Sequence, residues 1–182
     1  YQLNAVTCSN VARDLVITGD GGAVVWGYER SLFALRVDQN SMPVWSKQFA
    51  HHGSFGFIRE LPSGDLLAGI NMDTAGVVVA RLNAAGDLLW CKSYLRPRGM
   101  IQDCVIESDT SFIVTGYTDS IASTDVTIPL PPDYHPKLFL LKLSGMGDVQ
   151  WCKGYAGEPG WYARKGPQIV KTIDAGYVVL AN

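Results

Sequence analysis

The sequence has no run of about 18 apolar residues, which excludes a membrane-spanning helix. It has no surplus of either charge: 15 Lys and Arg against 17 Asp and Glu leave a formal net charge of −2. That is too weak a basic field to hold nucleic acid. Four cysteines and three histidines in 182 residues, with no CxxC pair, are too sparse for a disulfide scaffold or a zinc site. No cofactor or metal is expected. Gly-x-Ser-x-Gly, a P-loop, a dinucleotide glycine fingerprint and His-Glu-x-x-His are all missing, so no established nucleophile or cofactor motif points to an enzyme. No stretch sustains a 3.6-residue period with caps, which leaves little room for helix. What is present is apolar material, 47% of the chain, enough to exclude disorder and to build a core.

That apolar material is repeated. Three segments of eighteen residues align without a gap: LFALRVDQNSMPVWSKQF (32–49), VVVARLNAAGDLLWCKSY (77–94) and LFLLKLSGMGDVQWCKGY (138–155). Each has an apolar strand ending in a basic residue (Arg36, Arg81, Lys142), a polar turn, and a second strand carrying Trp45, Trp90 or Trp151. Lys47, Lys92 and Lys153 follow two residues on, then Phe49, Tyr94 and Tyr155. Period-two alternation on both sides of a turn predicts a β-hairpin. Gly86-Asp87 and Gly147-Asp148 supply the turn, glycine because it takes positive φ at little cost. Tryptophan, lysine and tyrosine then share one face, so the lysine stem can lie between rings with its ammonium in water. The recurring lysine reads as a structural device, not a ligand contact.

A second motif alternates with the first: 14–19 (DLVITG), 65–69 (DLLAG), 111–116 (SFIVTG) and 176–181 (GYVVLA). Each is read as the second strand of another hairpin that ends on a small residue. Two hairpins make a four-stranded unit, and the tryptophans are 45 and 61 residues apart, the excess lying in an insertion near 117–136. Four-stranded repeats of about this length are the mark of β-propeller blades. The expected fold is all-β: one propeller segment over 1–182, with units near 1–50, 51–100, 101–165 and an incomplete 166–182. Three and a half blades are visible, and propellers close with about four to eight, so the chain is expected to be part of a larger propeller.

The stretch Asn83-Ala-Ala-Gly-Asp-Leu-Leu-Trp-Cys-Lys-Ser-Tyr94, with Asp174-Ala-Gly-Tyr-Val-Val179 in a later unit, resembles bacterial β-propeller repeats of the Gly-Asp-x-x-Trp-x-Lys-x-Tyr and Asp-Gly-Gly-Tyr type. Asp174-Ala175-Gly176 departs from the double glycine. The resemblance implies a propeller in a large secreted or cell-surface bacterial protein, acting as a scaffold or binding module. It carries no catalytic residues to transfer.

Hairpin topology puts the tight turns on one face and the longer connections, taken as 20–31, 71–76, 117–136, 50–55, 95–100 and 156–166, on the other. Loops on a rigid scaffold are where binding usually resides. Candidates there are His51 and His52, which point apart on an extended chain and cannot share a metal; Arg96 and Arg98, suited to a carboxylate or phosphate; and Trp161, Tyr162 and Arg164, a composition of protein or sugar recognition. Asp133 and His135 close the proline-bearing insertion, expected to be an ordered arm over a neighbour. Asp119, Asp125 and Asp133 match no EF-hand spacing. Glu107 and Glu158 are available as a carboxylate pair, but nothing in the sequence singles them out.

The expected function is therefore a non-catalytic propeller scaffold whose partners are proteins or further blades of the same chain. A carbohydrate-binding propeller, and a piece of a propeller enzyme with its active site in other blades, are the alternatives. The cysteines are expected to be free, buried thiols. If Cys91 is on an outer strand and Cys104 on an inner one, no disulfide can join them.

Overall fold

In the computed structural model of the chain, residues 11–28, 31–49, 53–72, 76–94, 99–118, 122–123, 126–127, 137–155 and 166–180 are described. The alternating apolar segments form strands, and no helix occurs among these residues. β1 (Val11–Ile17), β2 (Ala23–Tyr28), β3 (Leu32–Val37) and β4 (Pro43–Phe49) form one antiparallel sheet in chain order. β5 (Ser54–Glu60), β6 (Leu66–Met72), β7 (Gly76–Leu82) and β8 (Leu88–Tyr94) form the second. In the third, β9 (Gly99–Ser108) and β10 (Ser111–Thr118) are followed by a small ribbon, β11 (Ala122–Ser123) with β12 (Val126–Thr127). The sheet then resumes with β13 (Lys137–Ser144) and β14 (Val149–Tyr155). β15 (Gln168–Lys171) and β16 (Tyr177–Leu180) pair as a single hairpin.

The first strand of each sheet packs on the first strand of the next, β1 on β5, β5 on β9 and β9 on β15. Each sheet is thus a propeller blade with its first strand innermost, and the chain shows three blades and half of a fourth. Apolar side chains fill the gaps between blades. Val24, Trp26 and Leu32 of blade 1 meet Ile58, Leu66 and Leu82 of blade 2. Phe57, Leu67 and Val79 of blade 2 meet Phe112, Phe139 and Leu141 of blade 3. A smaller cluster joins Val105, Ile113 and Leu140 to Ile169 of blade 4. Each large side chain so buried contributes roughly 1.5–3 kcal/mol, so a blade is held mainly by its neighbours.

One strand assignment from the sequence needs correction. Asp14 to Ile17 lie in β1, the first strand of blade 1, not in a second strand. The true equivalent of 65–69 is 22–26, which enters β2 through the tight turn at Asp20 to Gly22. Residues 20–28 are therefore a turn plus a strand, not part of one long connection. The glycine near the end of the second strand in blades 1 and 3 has a physical reason in this register. Gly27 pairs with Phe33 and Gly116 with Phe139, and each ring lies where a Cβ would stand, 2.4 and 2.8 Å away.

Candidate functional site

The chemistry-bearing side chains gather at the tight-turn end of the blades. In every outer hairpin the ladder slips at the same place, after Arg36, Arg81 or Lys142. This bulge sets each basic residue directly opposite a tryptophan: Arg36 faces Trp45, Arg81 faces Trp90 and Lys142 faces Trp151. A bulge re-aims side chains locally, and in blades 1 and 2 both members of the pair reach the outer turn of the next blade.

The turn is built to receive them. The Asn83 side chain accepts the N–H groups of Ala85 (3.0 Å) and Asp87 (2.8 Å), an Asx turn. Gly86 then has φ 78°. The Ser144 hydroxyl performs the same task for Met146 and Asp148, with Gly147 at φ 77°. Ala84 carbonyl oxygen accepts two bonds from blade 1, from Arg36 Nη1 and Trp45 Nε1, both 3.0 Å. Gly145 carbonyl oxygen accepts two from blade 2, from Arg81 Nη1 (3.1 Å) and Trp90 Nε1 (3.0 Å).

Lys47 reaches Asp87 at 2.8 Å and Lys92 reaches Asp148 at 2.7 Å, and these lysine hydrogen bonds hold both carboxylates below their ordinary pKa. Tyr94 donates its hydroxyl to Gly147 carbonyl oxygen at 2.6 Å. Blades 1 and 2 are thus each latched to the following blade by the same arginine, tryptophan and lysine, in one direction. The ammonium groups of Lys47 and Lys92 are not left to water, as the sequence suggested, but sit on the next blade's aspartate.

The basic residues also bind within their own blade, Arg36 to Asp20, Arg81 to Asp65 and Lys142 to Glu107, each at 2.7 Å. Burial alone would raise the Glu107 pKa, but hydrogen bonds from Lys142, Ser111 and Tyr177 outweigh it and bring it to about 2. A general acid needs the opposite shift. Asp20 is likewise drawn down to about 2, by hydrogen bonds from Thr18, Gly22 and Arg36.

A second polar array lies on the innermost strands. Asp14 accepts Ile58 N–H at 2.9 Å and Arg59 Nη1 at 2.7 Å. Asp103 accepts Ile169 N–H at 3.0 Å and Arg59 Nη2 at 2.5 Å. One guanidinium on blade 2 therefore bridges carboxylates on blades 1 and 3. Burial would lower the Arg59 pKa, and the two carboxylates overcome this and raise it. Neither the array nor its spacing was visible in the sequence, because Phe57 precedes Ile58 in β5 where Asp14 and Asp103 precede Leu15 and Cys104. The recurring feature is an aspartate that caps the next blade's backbone.

An open cleft of about 660 Å³ lies between the inner turns, lined by Asp20, Arg36, Glu60, Pro62 and Ser63 among others. Its charged groups are engaged: Glu60 accepts Gly19 N–H at 2.7 Å and Asp20 holds Arg36. Among the described residues no three His, Cys, Asp or Glu side chains are grouped to hold a metal ion. Cys91, Cys104 and Cys152 are free thiols. Cys104 is buried on β9 and Cys152 half-buried on β14, but Cys91 is exposed on β8. Burial pushes the Cys152 thiol up to about 12, out of reactive range.

Of the residues singled out in the sequence, Trp45, Trp90, Lys47, Lys92, Gly86 and Gly147 all belong to the latches, and Trp151 and Lys153 hold the matching places on β14. His51, His52, Arg96, Arg98, Asp133, His135, Trp161, Tyr162 and Arg164 lie outside the described residues, as do Cys8, Asp119, Asp125, Glu158 and the prolines of the insertion.

No protein-family model matches the chain, and no curated protein sequence matches it. Solved structures do. The WD40 domain of Neurospora crassa Pan2 superposes with a TM-score of 0.58 at 12% identity, over 93% of this chain and 46% of that one. A Bacteroides caccae protein of unknown function gives 0.48 at 15% identity, over 83% and 69%. BamB from Moraxella catarrhalis gives 0.42 at 14%, over 92% and 60%. The chain spans about half the length of the Pan2 domain it matches. Blade architecture and the likeness to Pan2 together make the fold a β-propeller.

Proposed function

We propose that the chain is a non-catalytic β-propeller scaffold and protein-interaction module of a secreted or cell-surface bacterial protein. One observation carries this reading. The recurring charged and aromatic side chains of blades 1 and 2, Arg36, Arg81, Lys47 and Lys92 with Trp45 and Trp90, are engaged in holding blade to blade. Such a frame is stiff, and its strands leave their longer connections at the end opposite the latched turns. Partners dock on those connections, where Trp161, Tyr162 and Arg164 supply aromatic area and a cation suited to a protein surface. The secreted or surface address rests on the resemblance of the Gly-Asp-x-x-Trp-x-Lys-x-Tyr repeat to bacterial propeller repeats. No helix among the described residues is long and apolar enough to cross a membrane.

The test immobilises the full chain and its Trp161→Ala, Tyr162→Ala and Arg164→Ala variants against the extracellular fraction of the organism that makes it, with a glycan array in parallel. The proposal expects a protein partner lost in the variants while their melting temperature is unchanged. Turnover of a substrate by the purified chain contradicts it. Glycan binding that vanishes with the Trp161 ring replaces the protein partner by a sugar.

A further inference from the structure

Blades 2 and 3 carry the same outer-strand triplet, Trp90-x-Lys92-x-Tyr94 and Trp151-x-Lys153-x-Tyr155, but only the first is engaged. Tyr94 is 4% exposed with its hydroxyl on the next blade, whereas Tyr155 is 46% exposed. Lys92 holds Asp148, whereas Lys153 lies over the Trp151 ring, 5.4 Å from its centroid, with no carboxylate among the described residues. The Trp151 indole N–H likewise meets no acceptor among the described residues. Beside this triplet, Tyr177 and Val179 of β16 pack with Trp151 against one buried cluster, and β16 pairs only with β15 among the described residues, so its other edge is open.

We propose that this flank, formed by β14 and β16, is a docking surface for a β-hairpin that adds beside β16 and carries an Asn/Ser-Xaa-Xaa-Gly-Asp turn. The interface it would make already exists twice in the molecule, between blades 1 and 2 and between blades 2 and 3, and each part of the turn has a stated task. The Asx or Ser side chain shapes the turn so that its carbonyl meets the indole N–H. The aspartate answers Lys153. The glycine leaves room for the ring, since a Cβ on Gly86 would stand 3.1 Å from the Trp45 ring and one on Gly147 would stand 2.9 Å from the Trp90 ring.

The same rule says which hairpin does not fit. Blade 1 has the turn Asp38-Gln39-Asn40-Ser41-Met42, with the same backbone, Ser41 at φ 63°, and the same capping of Asn40 and Met42 N–H by Asp38. Ser41 places a side chain where the indole must lie, and Met42 offers no carboxylate. A second copy of the chain, presenting its own blade 1, therefore cannot complete the latch. The docking partner is a hairpin with the Gly-Asp turn, and the space in front of blade 1 is a seam that follows other rules. This inference concerns the flank of the arc and is independent of the partner surface proposed above.

The experiment extends the full chain at its C-terminus with a copy of its own residues 73–94. One version keeps the Asn-Ala-Ala-Gly-Asp turn; the other carries Gly86→Ser and Asp87→Met in the copy, imitating blade 1. Indole N–H exchange of Trp151, assigned with Trp151→Phe, and the melting temperature are read in both, with native mass of the unextended chain alongside. The first extension should slow Trp151 exchange by about tenfold or more, as a new buried hydrogen bond does, and raise the melting temperature. The second should do neither, and Lys153→Met should lower the melting temperature only in the first. Equal protection by both extensions overturns the proposal, and so does an extension that leaves Trp151 unprotected. An unextended chain that is already dimeric with Trp151 protected assigns the flank to a second copy instead.

Discussion

Gly147→Ala separates the two tasks that the outer-turn glycine performs. At φ 77°, an alanine there carries left-handed strain of about 1–2 kcal/mol. Reduced freedom of the unfolded chain offsets about 0.4–1 kcal/mol of it. The new methyl would also stand 2.9 Å from two Trp90 ring atoms and 3.0 Å from the Tyr94 hydroxyl. Either the ring stays and the site is overpacked, costing about 1–3 kcal/mol, or the ring retreats. Retreat gives up the bonds from Trp90 to Gly145 and from Tyr94 to Gly147, each worth about 0.5–1.5 kcal/mol. The total is about 3 kcal/mol by either route.

Gly64 supplies the control. Its φ is 84°, but nothing lies within 4 Å of its would-be Cβ, so Gly64→Ala carries backbone strain alone, a net cost of about 1 kcal/mol. For a domain of this size each kcal/mol moves the melting temperature by about 2–4 °C. Urea melts and calorimetry on the two variants should therefore differ by about 2 kcal/mol and by about 4–8 °C. Equal losses would refute the latch geometry, because the backbone strain would then be the whole effect.

Three further outcomes follow from the same contacts. Ser41→Gly relieves left-handed strain at φ 63° and should stabilise the chain by roughly 0.5 kcal/mol, read in urea melts. Arg59→Met leaves the Asp14 and Asp103 carboxylates without their shared cation; it should cost about 2 kcal/mol, the partial exposure of the pair keeping it below the buried limit. Arg59→Lys should recover only part of this in the same melts, because an ammonium lacks the fork that spans two carboxylates. For Glu107, the folded pKa of about 2 lies below its ordinary 4.5, so its contribution is full above about pH 4.5 and lost as pH falls towards 2. Tyr177→Phe removes one donor, lifts the folded pKa and should shrink that acid-dependent part of stability, measured as the slope of melting temperature between pH 5 and 3.

The architecture was legible because its parts recur at fixed offsets. Trp45, Trp90 and Trp151 with the lysine two residues on, and glycine at positive φ before aspartate, announce a hairpin wherever they appear. What the pattern could not convey is partnership between repeats. Lys47 and Asp87 are 40 residues apart, and nothing local links them, so the lysine was read as solvated. The Arg59 bridge was hidden for a related reason: it breaks the repeat, with an arginine at the place held by Val16, Val105 and Val170. Strand identity failed once, where Asp14-Leu-Val-Ile mimics Asp65-Leu-Leu-Ala in apolar pattern. The Asp20-Gly21-Gly22 turn was the signal that should have moved the strand. The connection residues, His51 to Arg164, rest on loop composition, which has no periodicity to anchor it.

Hydrogen exchange of the three outer-strand indole N–H groups tests the one-way latch most directly. The account predicts that Trp45 and Trp90, bonded to Ala84 and Gly145 of the following blade, exchange slowly, and that Trp151 exchanges at least about tenfold faster in the same sample. Three equal rates, or a protected Trp151 beside exposed Trp45 and Trp90, would contradict it.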